Sequence, residues 1–149
     1  MNPLCNCQSL RQATRRVTQL YDQALAPINL RVTQFSLLVQ TEALGPIALQ
    51  PLAEVLVMDR ATLGHNVRPL LERGLAQLEV GRDRRSRELS VTQAGRDLLV
   101  EARKRWRQAQ DSFETELGKH AASALRGLLH RVASTEFVLP GQEPSYRQV

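Results

Sequence analysis

Hydrophobic residues recur every three or four positions through most of the chain. In the first such run, residues 9–26, the apolar side chains that share one face are Leu10, Ala13, Val17, Leu20 and Ala24. This spacing predicts an amphipathic helix. Pro27 ends it, because the residue before a proline is pushed out of the helical region. Thr33 is then a candidate N-cap for a second helix that stops at Gly45-Pro46.

Shorter elements follow. Ile47-Ala48-Leu49 is apolar and indicates a minimal strand. Pro51 suits the first turn of a third helix of about seven residues, where its missing N–H costs nothing. After a break near Val57-Met58, Asp59 is placed to cap a fourth helix. Gly74 lies just past the end of that helix, where a C′ glycine is expected.

After Gly74 the spacing of the hydrophobic residues changes from that of a helix to that of short extended segments. Residues 75–80 and 88–91 read as two strands of a hairpin. Thr92 is placed to cap a long helix of more than 20 residues, which Gly118 interrupts before a last helix. Residues 139–149 form a Pro/Gly-rich polar tail, predicted to be loose.

The order of these elements predicts a mainly α fold with a small β-wing. Residues 33–92 have the layout of a winged helix-turn-helix, flanked by helices over residues 8–26 and 93–138. The flanking helices are strongly apolar on one face. They therefore pack on each other within one chain or pair with a second copy.

The net charge of +5 is concentrated in one third of the sequence. Residues 59–107 hold twelve Lys/Arg against seven Asp/Glu, and the remaining residues are balanced at eight against eight. A localised basic segment is typical of a nucleic-acid binder. No window approaches ~18 uninterrupted apolar residues, and residues 1–16 lack the pattern of a secretory signal. We therefore expect no membrane partner and a cytoplasmic location.

Four arginines crowd into the hairpin tip, RDRRSR, at residues 82–87. Such a cluster is unfavourable in isolation and favourable beside the closely spaced phosphates of duplex DNA, where an arginine on a narrow wing can also enter the minor groove. Asp83 is predicted to pair with Arg87 and hold the other arginines outward. Arg84 and Arg85 would then reach DNA.

The fourth helix has a polar face opposite Leu63, Val67 and Leu70. Asparagine suits adenine, arginine suits guanine or phosphate, and a recognition helix places its N-terminal residues against bases. Base contacts are predicted from Thr62, His65 and Asn66. Phosphate or minor-groove contacts are predicted from Arg60, Arg68, Arg84, Arg85 and Arg87.

The segment from Asp83 to Gly95, with the pattern D-R-R-S-R-x-L-x-x-T-x-x-G, resembles the wing and following helix of the MarR family (multiple antibiotic resistance regulator) of bacterial transcription factors. The order of elements along residues 8–138 is similar too. Val57 departs from the pattern, since glycine is frequent at that turn.

This resemblance implies a homodimer that binds a pseudo-palindromic operator, in most cases as a repressor. It implies that the first helix and the last two interleave in the dimer. It also implies release of DNA by a small aromatic or lipophilic effector or by cysteine oxidation. From their positions, Tyr21, Phe35 and Leu38 are candidates to line the effector pocket.

Two alternatives remain open. In the first alternative the protein is a redox-sensing regulator that is switched by oxidation of the thiols of Cys5 and Cys7. Exposed thiols with a low pKa are the ones most readily oxidised. The winged domain would instead be a protein-interaction adaptor if its exposed face were apolar. No nucleophile with its base and no phosphate-cradling glycine loop is found, so neither an enzyme nor a cofactor or metal site is predicted.

Overall fold

The computed structural model describes residues 5–81, 86–138 and 140–141, and within them the chain forms six α-helices and a three-stranded antiparallel sheet. The mainly α winged fold is therefore confirmed. Residues 1–112 and 113–149 form two compact units. The elements are α1 (Asn6–Leu25), α2 (Val32–Leu44), β1 (Ile47–Ala48), α3 (Leu49–Val55), α4 (Arg60–Glu72), β2 (Ala76–Val80), β3 (Arg87–Val91), α5 (Gln93–Leu117) and α6 (Lys119–Ser134).

Helix α2 begins two residues earlier than the sequence predicted, and Thr33 is not its N-cap. The N-cap position belongs to Arg31, whose backbone N–H donates to the side chain of Gln34 at 3.1 Å. The carboxylate of Asp22, from the end of α1, accepts the N–H of Val32 at 2.8 Å. An acceptor ten residues upstream leaves no local pattern, which is why the prediction of Thr33 was wrong.

The core of the first unit is built largely from leucines that are fully buried. Full burial of one such side chain contributes about 1.5–3 kcal/mol. Phe35 on α2 stacks on Trp106 of α5, with ring centroids 6.2 Å apart and planes inclined by 25°. An ion pair between Arg103 and Glu42 also joins α5 to α2. The fully buried leucines that form most of this core are Leu25, Leu37, Leu38, Leu52, Leu63, Leu70, Leu89 and Leu99.

The sheet has the strand order β1-β3-β2, so the wing is a hairpin with one short added strand. Leu89 in the middle strand lies between Ile47 and Leu78 and is fully buried. The predicted minimal strand and the predicted hairpin are both present.

In the second unit, α6 follows Gly118, whose φ of 86° breaks the helical path. Arg126 of α6 donates to Glu114 at 2.9 Å. Ala122 is fully buried, whereas several large apolar side chains of this unit are exposed. These exposed side chains are Leu117, Leu128, Leu129, Val132, Phe137 and Val138.

The tail was predicted over residues 139–149. Residue 139 and residues 142–149 lie outside the described residues.

Candidate nucleic-acid interface

The start of α4 is fixed by Asp59, as the sequence predicted. Its carboxylate accepts the backbone N–H of Thr62 at 2.8 Å and the hydroxyl of Thr62 at 2.6 Å. The hydroxyl and then the amide of Thr62 lower the pKa of Asp59 below its usual value, because both hydrogen bonds favour the charged form. The negative charge also interacts favourably with the N-terminal end of the helix dipole.

Helix α4 presents a polar face and buries an apolar one. Leu63, Val67 and Leu70 are buried against the core, as expected. Four of the α4 residues that were predicted to face DNA are exposed, namely Arg60, Thr62, His65 and Arg68. The fifth, Asn66, is half-buried. The fold thus brings five of the predicted DNA-contacting residues onto one helix.

Two arginines near the C-terminal end of α4 have partners within the chain. Arg68 donates to Glu72 at 2.9 Å, one turn further along, and both side chains are largely exposed. Such a pair contributes little to stability. Arg73 donates to the backbone carbonyl of Asn29 at 2.6 Å and so ties the end of α4 to the loop after α1. No local sequence pattern predicts this second contact, because its two residues are 44 positions apart.

The wing is described up to its tip. Gly81 donates its backbone N–H to the carbonyl of Ser86 at 3.0 Å, and Arg87, paired with Val80, is exposed at the start of β3. Residues 82–85 lie outside the described residues. The predictions for Asp83, Arg84 and Arg85, including an Asp83–Arg87 pair, therefore stay predictions.

The junction between the wing and α5 explains the T-x-x-G part of the motif. Thr92 caps α5 as predicted: its hydroxyl accepts the N–H of Gly95 at 3.1 Å and donates to the carbonyl of Gly74 at 2.6 Å. A Cβ on Gly95 would lie 2.1 Å from the carbonyl oxygen of Leu75 and 2.7 Å from Val91. This close approach ties the start of α5 to the residues that follow α4.

The three residues predicted to line an effector pocket are buried in the first unit. Tyr21 donates its hydroxyl to Gln110 at 2.5 Å, Phe35 stacks on Trp106, and Leu38 is fully buried. An open groove of about 800 Å³ lies elsewhere in this unit, between α1, the loop after it, the start of α2 and the end of α4. Its lining includes Arg31 and Arg73 but none of these three residues. Their role as pocket residues stays a prediction.

Cys5 and Cys7 are both free thiols at the start of α1, with Cys7 exposed and Cys5 half-buried. Among the described residues, no group of three or more His, Cys, Asp or Glu side chains is arranged to hold a metal ion. None of the described helices is both long and apolar enough to cross a bilayer.

Solved structures share this arrangement of helices and wing. The M. tuberculosis transcriptional regulator MOSR, solved in complex with DNA, is 30% identical, with a TM-score of 0.72 over 88% of this chain and 99% of that one. A MarR-family regulator from Rhodococcus sp. RHA1 has the same fold, with a TM-score of 0.75 at 22% identity over 90% and 99% of the two chains. The chain belongs to the MarR family of transcriptional regulators.

One further solved structure shares the fold, and a relative found by sequence is also described as a transcriptional regulator. Bordetella bronchiseptica BpsR, whose DNA binding is regulated by 6-hydroxynicotinic acid, matches with a TM-score of 0.81 at 23% identity, over 91% of this chain and 97% of that one. The uncharacterized HTH-type transcriptional regulator YwaE of Bacillus subtilis is 25% identical over 124 residues, 83% of this chain and 72% of that protein. No family model matches the sequence.

Proposed function

We propose that this MarR-family protein is a homodimeric DNA-binding repressor that binds a pseudo-palindromic operator and is released from it by a small aromatic or lipophilic ligand. In this proposal α4 of each protomer enters a major groove and each wing lies along a flanking minor groove. Residues 8–26 and 93–138 provide the dimer contacts, and residues 33–92 bind DNA.

One observation supports DNA binding above the others: the exposed face of α4 is polar and basic while its opposite face is buried. Arg60, Thr62 and His65 are all exposed within the first two turns, the part of a recognition helix that contacts base edges. An adaptor surface for another protein would instead present a contiguous apolar patch there. The solved DNA complex of MOSR supports the same proposal.

Footprinting the purified protein on the DNA next to its own gene tests the proposal directly. A symmetric dimer is expected to protect two half-sites whose centres are about 10 base pairs apart, since two recognition helices then lie on one side of the duplex. A single protected half-site, or a protein that binds no duplex at low salt, would contradict it.

The charge of the wing is tested by Arg85→Ala in a mobility-shift titration over a range of salt concentrations. Because each neutralised phosphate releases counterions, loss of one such contact is expected to weaken binding and to reduce the slope of log K against log salt by about 1. Arg147→Ala, which removes the same charge outside both the dimer segments and the DNA-binding segment, serves as the control and should leave the slope unchanged. An unaltered slope for Arg85→Ala would exclude Arg85 from phosphate contact.

Release by an effector is supported by BpsR, whose DNA binding responds to a hydroxylated aromatic acid. A panel of aromatic acids and phenols is therefore the appropriate first screen, with operator release in the mobility-shift assay as the readout. The double variant Cys5→Ser/Cys7→Ser distinguishes the redox alternative. A response to mild peroxide in the wild type that this variant lacks would assign the switch to the thiols.

A further inference from the structure

Thr62 is an exposed residue in the first turn of α4, and the proton of its hydroxyl is already used in a hydrogen bond within the helix terminus. Its Oγ1 donates to Oδ2 of Asp59 at 2.6 Å, while the backbone N–H of the same residue donates to Oδ1 at 2.8 Å. The two bonds hold Thr62 and Asp59 in a fixed relation at the tip of the helix. The side chain of Thr62 is therefore held in one rotamer before any ligand contacts α4.

The direction of the hydroxyl bond is set by the chemistry of the partner. An ionised carboxylate accepts hydrogen bonds and cannot donate one, whereas a hydroxyl has one proton and two acceptor lone pairs. The lowered pKa of Asp59 keeps its carboxylate ionised at neutral pH. The outward side of the Thr62 oxygen consequently offers lone pairs only.

A protein distinguishes bases in the major groove by the hydrogen-bond donors and acceptors that each base presents there. Adenine presents the N6 amino donor and cytosine the N4 amino donor, whereas guanine and thymine present acceptors at the equivalent positions. A free threonine hydroxyl bonds to either kind of group. A hydroxyl whose proton is committed to a carboxylate bonds only to a donor.

We propose that Thr62 is a specificity-determining residue that accepts a hydrogen bond from adenine N6 or cytosine N4 and so disfavours guanine and thymine at one position of each half-site. This inference rests on the proposed function, because it requires the first turn of α4 to lie in a major groove. It gives Asp59 a second role beside helix capping, as the group that fixes the polarity of base reading.

Arg60 and Arg68, the exposed arginines of the same helix, are donors only and select acceptors such as guanine or phosphate. Thr62 with Asp59 thus supplies the complementary acceptor. The exposed side chains of α4 then read both kinds of base edge.

The test uses the operator defined by footprinting, with every base pair replaced in turn by the other three and affinities compared by competition mobility shift. For the wild type, one position per half-site is expected at which A and C bind about 5-fold more tightly than G and T, the scale of one hydrogen bond. Thr62→Val removes the hydroxyl and keeps a methyl group. It should reduce this difference to less than about 2-fold, and Thr62→Ser should retain the wild-type pattern.

Asp59→Asn is the decisive variant, because asparagine caps a helix as well as aspartate does. Its amide nitrogen would take the place of Oδ2 and donate to the Thr62 oxygen, which frees the hydroxyl proton to point outward. The same position is then expected to prefer G or T. A uniform change of affinity at all positions would reflect only the removal of a negative charge near the phosphates.

Three results would overturn the inference while leaving DNA binding intact: a wild-type protein with no position that prefers A and C, an unchanged pattern for Asp59→Asn, or retained A/C preference in Thr62→Val. The last result would assign the contact to the Asp59 carboxylate itself. A preference for T alone that survives Thr62→Val would assign it to the methyl group. Failure of the wild type to bind any duplex at low salt would instead overturn the proposed function, and the inference with it.

Discussion

At the scale of single residues, the turn between α3 and α4 contains a conformation that its side chain disfavours. Val57 has a φ of 52° and is 69% exposed, so a β-branched residue occupies the left-handed region without burial to offset the cost. Val57→Gly removes the clash of Cβ with the backbone and is expected to raise the free energy of unfolding by about 1 kcal/mol. Urea denaturation at a fixed protomer concentration measures this change.

The matched control is Val55→Gly, two residues earlier. Val55 is 51% exposed and ends α3, so its backbone is helical and glycine brings no relief of strain. This variant is expected to lose up to about 1 kcal/mol. Equal effects of the two substitutions would show that the left-handed conformation of Val57 is not the source of the difference.

At the scale of elements, the glycines of two helices have opposite roles. Gly95 in α5 lies so close to the carbonyl of Leu75 that an added Cβ would be 2.1 Å from that oxygen, whereas a Cβ on Gly64 in α4 would meet nothing within 4 Å. Gly95→Ala must displace backbone and is expected to lower the free energy of unfolding by about 2 kcal/mol or more. Gly64→Ala should raise it by up to about 1 kcal/mol, since alanine is the better helix former.

Thermal and urea unfolding of both variants decide this point. Destabilisation by Gly64→Ala, or a neutral Gly95→Ala, would contradict the packing described at the start of α5. Because the Gly95 contact joins α5 to the segment after α4, Gly95→Ala is also expected to weaken operator binding more than its fraction of unfolded protein explains.

At the scale of the whole molecule, large apolar side chains of α6 face solvent in a single chain. Leu128 is 56% exposed, with Leu129 and Val132 at 40% and 42%. If a second copy covers this face, Leu128→Glu buries a charge in the interface and is expected to shift the protein from dimer to monomer. Sedimentation velocity at micromolar concentration measures the shift, and operator affinity should fall with it.

Ser123→Glu provides the control for added charge on the same helix. Ser123 is exposed and lies about 140° around α6 from Leu128, given about 100° per residue. This variant is expected to remain dimeric. A wild-type protein that sediments as a monomer, or a dimer that Leu128→Glu leaves intact, would exclude α6 from the interface.

The sequence by itself determined the element order and several element boundaries. Asp59, Gly74 and Thr92 mark the ends of helices through local chemistry, namely a side-chain acceptor for free N–H groups or a residue that tolerates positive φ. The buried face of α4 was also predictable, since Leu63, Val67 and Leu70 recur at helical spacing. The sequence marked Val57 only as a departure from the resembled family, in which glycine is frequent at that turn. The φ of 52° shows that the turn has the left-handed conformation that glycine adopts without strain.

Only the tertiary structure decided the contacts between residues that are distant in the chain. Asp22 caps α2 in place of Thr33, Arg73 binds the carbonyl of Asn29, and Gly95 packs on Leu75. Each partnership depends on how elements pack in space, and a one-dimensional pattern carries no information about which distant acceptor or backbone segment lies nearby. The hydrogen bond from the Thr62 hydroxyl to Asp59 differs from these contacts, because its two residues are only three positions apart. Even so, only the three-dimensional structure shows which acceptor the hydroxyl uses.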